Sequence, residues 1–238
     1  KKFRLGYAPD RQDVLTQRLL AKGVSEKMLI ESGLTAKDGK GSSPYRDRFR
    51  DRLMFPILDG SGRVVGFGGR VIRENDRRPK YLNSAENMLF HKGKLLYGYH
   101  TAREMVSSDL PPVLVEGYMD VIFSQSAGLP AMAAMGTALT DTQADLLSRF
   151  GFPVLLAYDA DAAGQKAAFR TAAMLLGRDI EVGIVLFPPG QDPADMVEQG
   201  RGGRLKEIAS SPVDAFKFVV ETALSMHPDS VTGRRAAS

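Results

Sequence analysis

From residue 113 onward, short apolar runs alternate with stretches of helical periodicity. Val113–Val115, Ala131–Met135, Val154–Tyr158 and Val182–Phe187 are brief, rich in β-formers and aliphatic residues, and bounded by turn residues. Strands buried on both faces of a parallel sheet have this pattern. Between them, Met119–Gly128, Asp141–Phe150 and Ala162–Leu176 carry apolar residues at three- and four-residue spacing, which predicts helices. Strand, helix, strand in repetition predicts right-handed crossovers and a sheet covered by helices. Pro212–Met226 reads as a further amphipathic helix, and 231–238 as a frayed end.

The first hundred residues have a different pattern. Two short helices are expected before residue 35, the second with Ser25 as its N-cap. Lys37 to Arg48 is Gly, Ser and charge, hence a loop. Arg46, Arg48, Arg50 and Arg52 fall at alternate positions, and in an extended strand a period of two places all four on one face. A solvated strand partly neutralised by Asp47 and Asp51 is the plainer reading of that run. Leu53–Leu58, the turn Asp59-Gly-Ser-Gly62 and Arg63–Ile72 predict a β-hairpin. Gly66, Gly68 and Gly69 fit neither GxGxxG nor GxxxxGK[ST], so they read as a bulge or a close backbone approach. Asp109-Leu-Pro-Pro112 marks the expected boundary. The predicted layout is a basic mixed α+β subdomain over 1–109, an α/β subdomain over 110–200, and from 201–238 the start of a helical subdomain.

Charge follows that division. Residues 1–107 carry 22 Lys+Arg against 12 Asp+Glu and residues 108–238 carry 10 against 16, so +10 and −6 make up the net +4. A basic part joined to an acidic one suggests a polyanion gripped by the first and processed by the second. The chain has no cysteine, which excludes disulfides and thiolate zinc sites and fits a cytosolic protein. His91, His100 and His227 lack the HExxH spacing. No run approaches the roughly 18–20 apolar residues of a membrane span, so no membrane association is expected. The start, Lys-Lys-Phe-Arg, has neither an initiator methionine nor a signal-like apolar stretch behind it, and an excised piece of a longer chain is expected.

The acidic part places carboxylates at strand ends: Glu116 after Val113–Val115 with Asp120 four residues on, Asp159 and Asp161 after Val154–Tyr158, and Asp192 and Asp195 after Val182–Phe187. Ligands bind at that edge of an open α/β sheet. Gathered carboxylates repel one another unless a cation neutralises them, and Mg²⁺ takes oxygen ligands. An Asp after a strand also caps the next helix, but Glu116, Asp159, Asp161 and Asp192, four acids all at strand ends, exceed what capping explains.

Several segments in order carry a resemblance: Arg48-Phe-Arg-Asp-Arg-Leu-Met-Phe-Pro-Ile57, Gly66-Phe-Gly-Gly-Arg-Val71, Pro79-Lys-Tyr-Leu-Asn-Ser84, Phe90-His-Lys-Gly93, Glu116-Gly-Tyr-Met-Asp120 and Tyr158-Asp-Ala-Asp161. The chain resembles the RNA polymerase core of bacterial DnaG-type primases, which contains a TOPRIM parallel sheet flanked by helices. The resemblance covers nearly the whole chain. It implies synthesis of RNA primers from NTPs on a single-stranded DNA template. Asp159, Asp161 and Glu116 would hold Mg²⁺ or Mn²⁺, with Glu116 alternatively a general base, and Asp120, Asp192 and Asp195 would be outer ligands. The family pattern is Asp-Pro-Asp, whereas this chain reads Asp192-Pro-Ala-Asp195. Arg70, Lys80, Tyr81, Asn83, Lys92 and Tyr118 would contact the nucleotide or the RNA/DNA heteroduplex, and the arginines at 46, 48, 50 and 52 would line the template path. The resemblance further implies a monomer at the bacterial replication fork, and inhibition by guanosine polyphosphates. Zinc is expected only in an N-terminal domain absent here, and replicative helicase binding only in an absent C-terminal domain. A TOPRIM nuclease or topoisomerase-like enzyme and a non-catalytic nucleic-acid-binding scaffold stay open as alternatives.

Overall fold

The computed structural model describes residues 2–38, 43–73, 76–136, 138–188 and 191–226. The chain forms two units, one ending at Lys92 and the other beginning at Gly93.

The first unit is built on a four-stranded antiparallel sheet ordered β1-β4-β5-β6, from Gly6–Ala8 (β1), Arg52–Leu58 (β4), Val64–Val71 (β5) and Tyr81–Asn83 (β6). Helices α1 (Val14–Leu20) and α2 (Glu26–Glu31) precede a two-stranded ribbon of β2 (Thr35–Ala36) and β3 (Arg46–Asp47). Both expected helices form, and Ser25 caps α2 by accepting from Met28 N–H at 3.3 Å. The expected hairpin is β4–β5; Asp59 closes its turn by accepting from the amides of Ser61 and Arg63. The glycines of β5 make room for side chains. A Cβ at Gly66 would stand 2.6 Å from the Phe90 ring, and one at Gly69 2.9 Å from Phe49. Phe49, Phe55, Ile57 and Phe90 are buried. Asp47, also buried, accepts from the amides of Leu15 and Thr16 and from the Thr16 hydroxyl, which ties the ribbon to α1.

The continuous arginine strand expected over 46–52 does not form. β3 ends at Asp47 and β4 begins at Arg52, and between them Asp51 takes φ +50°. A left-handed non-glycine residue breaks the two-residue alternation, so the four arginines do not share a face. The buried Asp51 carboxylate accepts from the Tyr7 hydroxyl at 2.8 Å and pairs with Arg73 Nε at 2.9 Å, which holds the bend. Arg46 pairs with Asp38, Arg48 donates to Asn83 O, and Arg52 is only 3% exposed. The loop expected over 37–48 contains 39–42, which lie outside the described residues.

The second unit is the expected parallel sheet, ordered β11-β10-β9-β7-β8 from Val113–Val115 (β7), Ala131–Ala133 (β8), Val154–Leu156 (β9), Val182–Ile184 (β10) and Val213–Asp214 (β11). The first four pair in parallel, and β11 adds an antiparallel edge. Every residue of β7 to β10 is buried, as their uninterrupted apolar runs require. Helices α3 (Tyr99–Arg103), α4 (Tyr118–Ser126), α5 (Asp141–Ser148) and α6 (Ala162–Leu176) are followed by α7 (Pro193–Glu198), α8 (Gly202–Ala209) and α9 (Ala215–Met226). Leu114, Met132, Leu147, Leu156, Leu175 and Ile184 centre the core. Leu96 and Ala102, which precede the boundary expected at 109, are buried in this same core, and Tyr97 exchanges backbone hydrogen bonds with Ala133. The frayed end expected over 231–238 lies outside the described residues.

Candidate metal and nucleic-acid sites

β7 ends at Val115 as its apolar run predicts, whereas β8, β9 and β10 stop two or three residues earlier than theirs; the residues just beyond β7, β9 and β10 leave the sheet and carry the acids. Glu116 follows β7 directly, and its Oε1 accepts from Asp159 N–H at 3.0 Å, joining the ends of β7 and β9. Asp161 is the N-cap of α6 and accepts from Gly164 N–H at 2.7 Å. Asp192 caps α7, accepting from Asp195 N–H at 2.7 Å, with Pro193 preset for the first helical turn. Asp120 accepts from Gly117 N–H at 2.9 Å at the start of α4. The capping role weighed for such acids is therefore real for Asp161 and Asp192, and in each the second oxygen is free of that bond.

These acids act on one another. Burial, and then repulsion from Glu116, Asp120, Asp192 and Asp161, pushes Asp159 up to about 7. Burial, with Asp192 and Glu116 adding to it, raises Asp120 to about 6. Among the described residues no Lys or Arg forms an ion pair with any of the six, and no three acids converge into a ready-made metal cage. The donor set is all oxygen and short of positive charge, which fits a hard divalent cation. Such an ion needs only one or two carboxylates from the protein beside water and substrate phosphate.

Gly164 bears directly on these acids. It lies inside α6, where a Cβ would come 2.2 Å from Asp159 O and 2.7 Å from Glu116 Oε1. Only a glycine lets this helix approach both groups. Two cavities flank the acids. One, of about 270 Å³, is lined by Glu116, Tyr158, Arg170 and Thr171; the other, of about 250 Å³, by Asp159, Phe187 and Phe218. Arg170 was not singled out from sequence, because a lone arginine within a helical pattern carries no signal there.

Tyr118 does not present itself for nucleotide contact. It is 4% exposed, in the first turn of α4, with its ring edge-on to Tyr97 at 4.6 Å between centroids. In the first unit, β5 and β6 bring together several predicted contacts. Arg70 is in register with Tyr81, its guanidinium 5.8 Å from the ring centroid, while Lys80 is exposed beside them and Asn83 is half-buried. Lys92 is half-buried, and burial lowers its pKa. Arg50 is half-buried in the bend between β3 and β4, and Arg78 donates to its carbonyl.

A parallel sheet with a Glu after one strand and an Asp-x-Asp after its neighbour defines a Toprim-type unit, and residues 113–197 match the family described as Toprim-like. Residues 1–103 match the family described as DNA primase catalytic core, N-terminal domain. A DNA primase of Deinococcus radiodurans is 43% identical over 236 residues, covering 98% of this chain and 41% of that protein. The chain thus spans about two-fifths of the length of this relative. The RNA polymerase domain of Mycobacterium tuberculosis primase DnaG superposes with TM-score 0.83 at 30% identity, covering 99% of this chain and 77% of that one. A DnaG primase catalytic domain solved with ssDNA gives TM-score 0.82 at 33% identity, with coverage of 98% and 74%. The chain belongs to the DnaG-type DNA primase family. Membership implies use of a divalent metal. No described helix is long and apolar enough to cross a membrane.

Proposed function

We propose that this chain is the catalytic core of a DNA primase, building short RNA primers from NTPs on single-stranded DNA. The observation that carries the reading is the group of carboxylates at the ends of β7, β9 and β10, two of them raised by burial and mutual repulsion, in a chain of this family. Residues 110–200 would perform the chemistry, 1–109 would handle template and nucleotide, and 201–238 would begin a helical subdomain.

In the reaction the 3′-hydroxyl oxygen of the primer bonds to the α-phosphorus of the incoming NTP, the α–β phosphoanhydride breaks, and pyrophosphate leaves. Asp159, Asp161 and Glu116 would hold Mg²⁺ or Mn²⁺, with Asp120, Asp192 and Asp195 as outer ligands. When bound there, a divalent cation would supply Lewis-acid polarisation of the phosphoryl oxygens and charge neutralisation for the pyrophosphate leaving group. Glu116, held by Asp159 N–H, is either a ligand or the group that takes the hydroxyl proton. Arg70, Lys80, Tyr81, Asn83 and Lys92 would bind nucleotide or heteroduplex, with charge for phosphate and a ring for base stacking.

By the same reading the protein works as a monomer at the bacterial replication fork and meets the replicative helicase through a C-terminal domain. Guanosine polyphosphates inhibit it in competition with GTP. The deciding assay supplies ssDNA, labelled NTPs and Mg²⁺ or Mn²⁺ to wild type and Asp159→Ala. Labelled oligoribonucleotides from wild type alone are expected; equal synthesis by both would sink the assignment of the acids, and DNA binding with no synthesis by either would favour a non-catalytic scaffold.

A further inference from the structure

Two of the arginines between 46 and 52 turn inward, and what they hold is backbone. Arg52 belongs to β4, and in the sheet order β5 lies between it and β6. Its side chain passes Gly69 of β5, where an added Cβ would stand 3.0 Å from Arg52 Cδ. Beyond the glycine, Nη1 donates to Gly69 O at 3.1 Å, Pro79 O at 3.0 Å and Lys80 O at 3.4 Å. Arg48 takes the other end of the same segment, donating from Nε and Nη2 to Asn83 O at 3.1 and 2.8 Å. Segment 79–83 therefore meets a guanidinium at each end.

That segment needs support. β6 has three residues, lies at the edge of the sheet and, among the described residues, pairs with β5 alone. A strand so short is marginal without further contacts. A guanidinium is a suitable support because its donors lie in one rigid plane and its hydrogen bonds to carbonyl oxygens are charge-assisted. The bend at Asp51 makes the arrangement attainable, since it interrupts the alternation immediately before Arg52 enters the sheet.

We infer that Arg52 and Arg48 are positioning residues that set the backbone of 79–83, and through it the presentation of Lys80, Tyr81 and Asn83, instead of touching nucleic acid themselves. The inference rests on the proposed reading of those three residues as nucleotide or nucleic-acid contacts. It withdraws two charges from the expected template path and gives them a task inside the unit.

The test uses Arg52→Lys, which keeps the charge but loses the planar fork, with Arg48→Gln as a second variant should the first fail to fold. Amide hydrogen exchange reads the clamp directly. Residues 80–84 should exchange roughly tenfold or more faster, while the amides pairing β1, β4 and β5 keep their rates. NTP KM and ssDNA affinity read the consequence in a cycle with Lys80→Ala. Each single change should weaken binding, and the double variant should lose less than the product of the two. Unchanged exchange at 80–84 would overturn the clamp, and losses that multiply would overturn positioning. Should Lys80→Ala, Tyr81→Ala and Asn83→Ala each leave both binding measures untouched, the reading of the segment as a contact fails and the positioning role falls with it. The exchange result then judges the clamp alone.

Discussion

Replacing Asp159 by asparagine keeps the shape of the side chain and removes its charge from the acid group. In the wild-type chain, burial and the neighbouring carboxylates raise this carboxyl from 3.8 to about 7. The folded state therefore binds the proton more tightly than the unfolded state, and the associated stability is full below about pH 4. It declines as pH rises and is lost by about pH 7. Unscreened, the shift would correspond to ~4 kcal/mol, but the side chain is half-exposed and solvent screening reduces this to ~1–2 kcal/mol. Asp159→Asn should thus leave the melting of the second unit nearly unchanged at pH 4 and raise it by roughly 3–6 °C at pH 8 without divalent metal. Saturating Mg²⁺ or Mn²⁺ should reverse the order, because the wild type gains from binding and the variant gains little. Calorimetry of both proteins at the two pH values, with and without metal, measures all of this. A difference independent of pH, or an equal response to metal, would refute the reasoning.

Gly164→Ala should cost about 1–3 kcal/mol of stability and at least ~100-fold in primer synthesis, since the methyl group displaces both Asp159 and Glu116; denaturant melts and the oligoribonucleotide assay check it. Asp161→Asn retains a capping acceptor and should melt near wild type, whereas Asp161→Ala should lose about 1 kcal/mol; both should lose the stabilisation by metal, which thermal shift reads. Tyr118→Phe should change NTP KM by no more than about twofold if the buried ring serves the core, and a rise of about tenfold would restore it as a contact. Asp47→Ala should destabilise the first unit by about 3 kcal/mol in urea melts, because the buried amide and hydroxyl of Thr16 and the part-buried amide of Leu15 lose their acceptor.

The parallel sheet was legible because its strands are buried on both faces and their apolar runs leave little else to be. The acids were legible for a related reason: a carboxylate directly after such a run has to emerge at the sheet's edge. The run from Arg46 to Arg52 was misleading. Alternation predicts one face only while the chain stays extended, and a single φ of +50° at Asp51 is invisible in a pattern of residue types. Arg52 then appears as surface charge, since nothing in its spacing shows three carbonyl oxygens converging on it. Tyr118 was assigned through the resemblance alone, and a matching segment does not show which side of α4 meets the core, where the ring is buried.

The acid group has one oxygen each of Glu116, Asp120, Asp161 and Asp192 tied to a backbone amide, and among the described residues no bond of this kind to the Asp159 side chain. Four of its side chains are thus oriented before any ion arrives, so little rotamer freedom remains to be lost on binding. The amides of Gly117, Asp159, Gly164 and Asp195 consequently form a built-in set of reporters. Their NMR shifts should move as a group when Mg²⁺ binds, and paramagnetic Mn²⁺ should broaden them in order of distance, giving a map of the ion from the backbone alone.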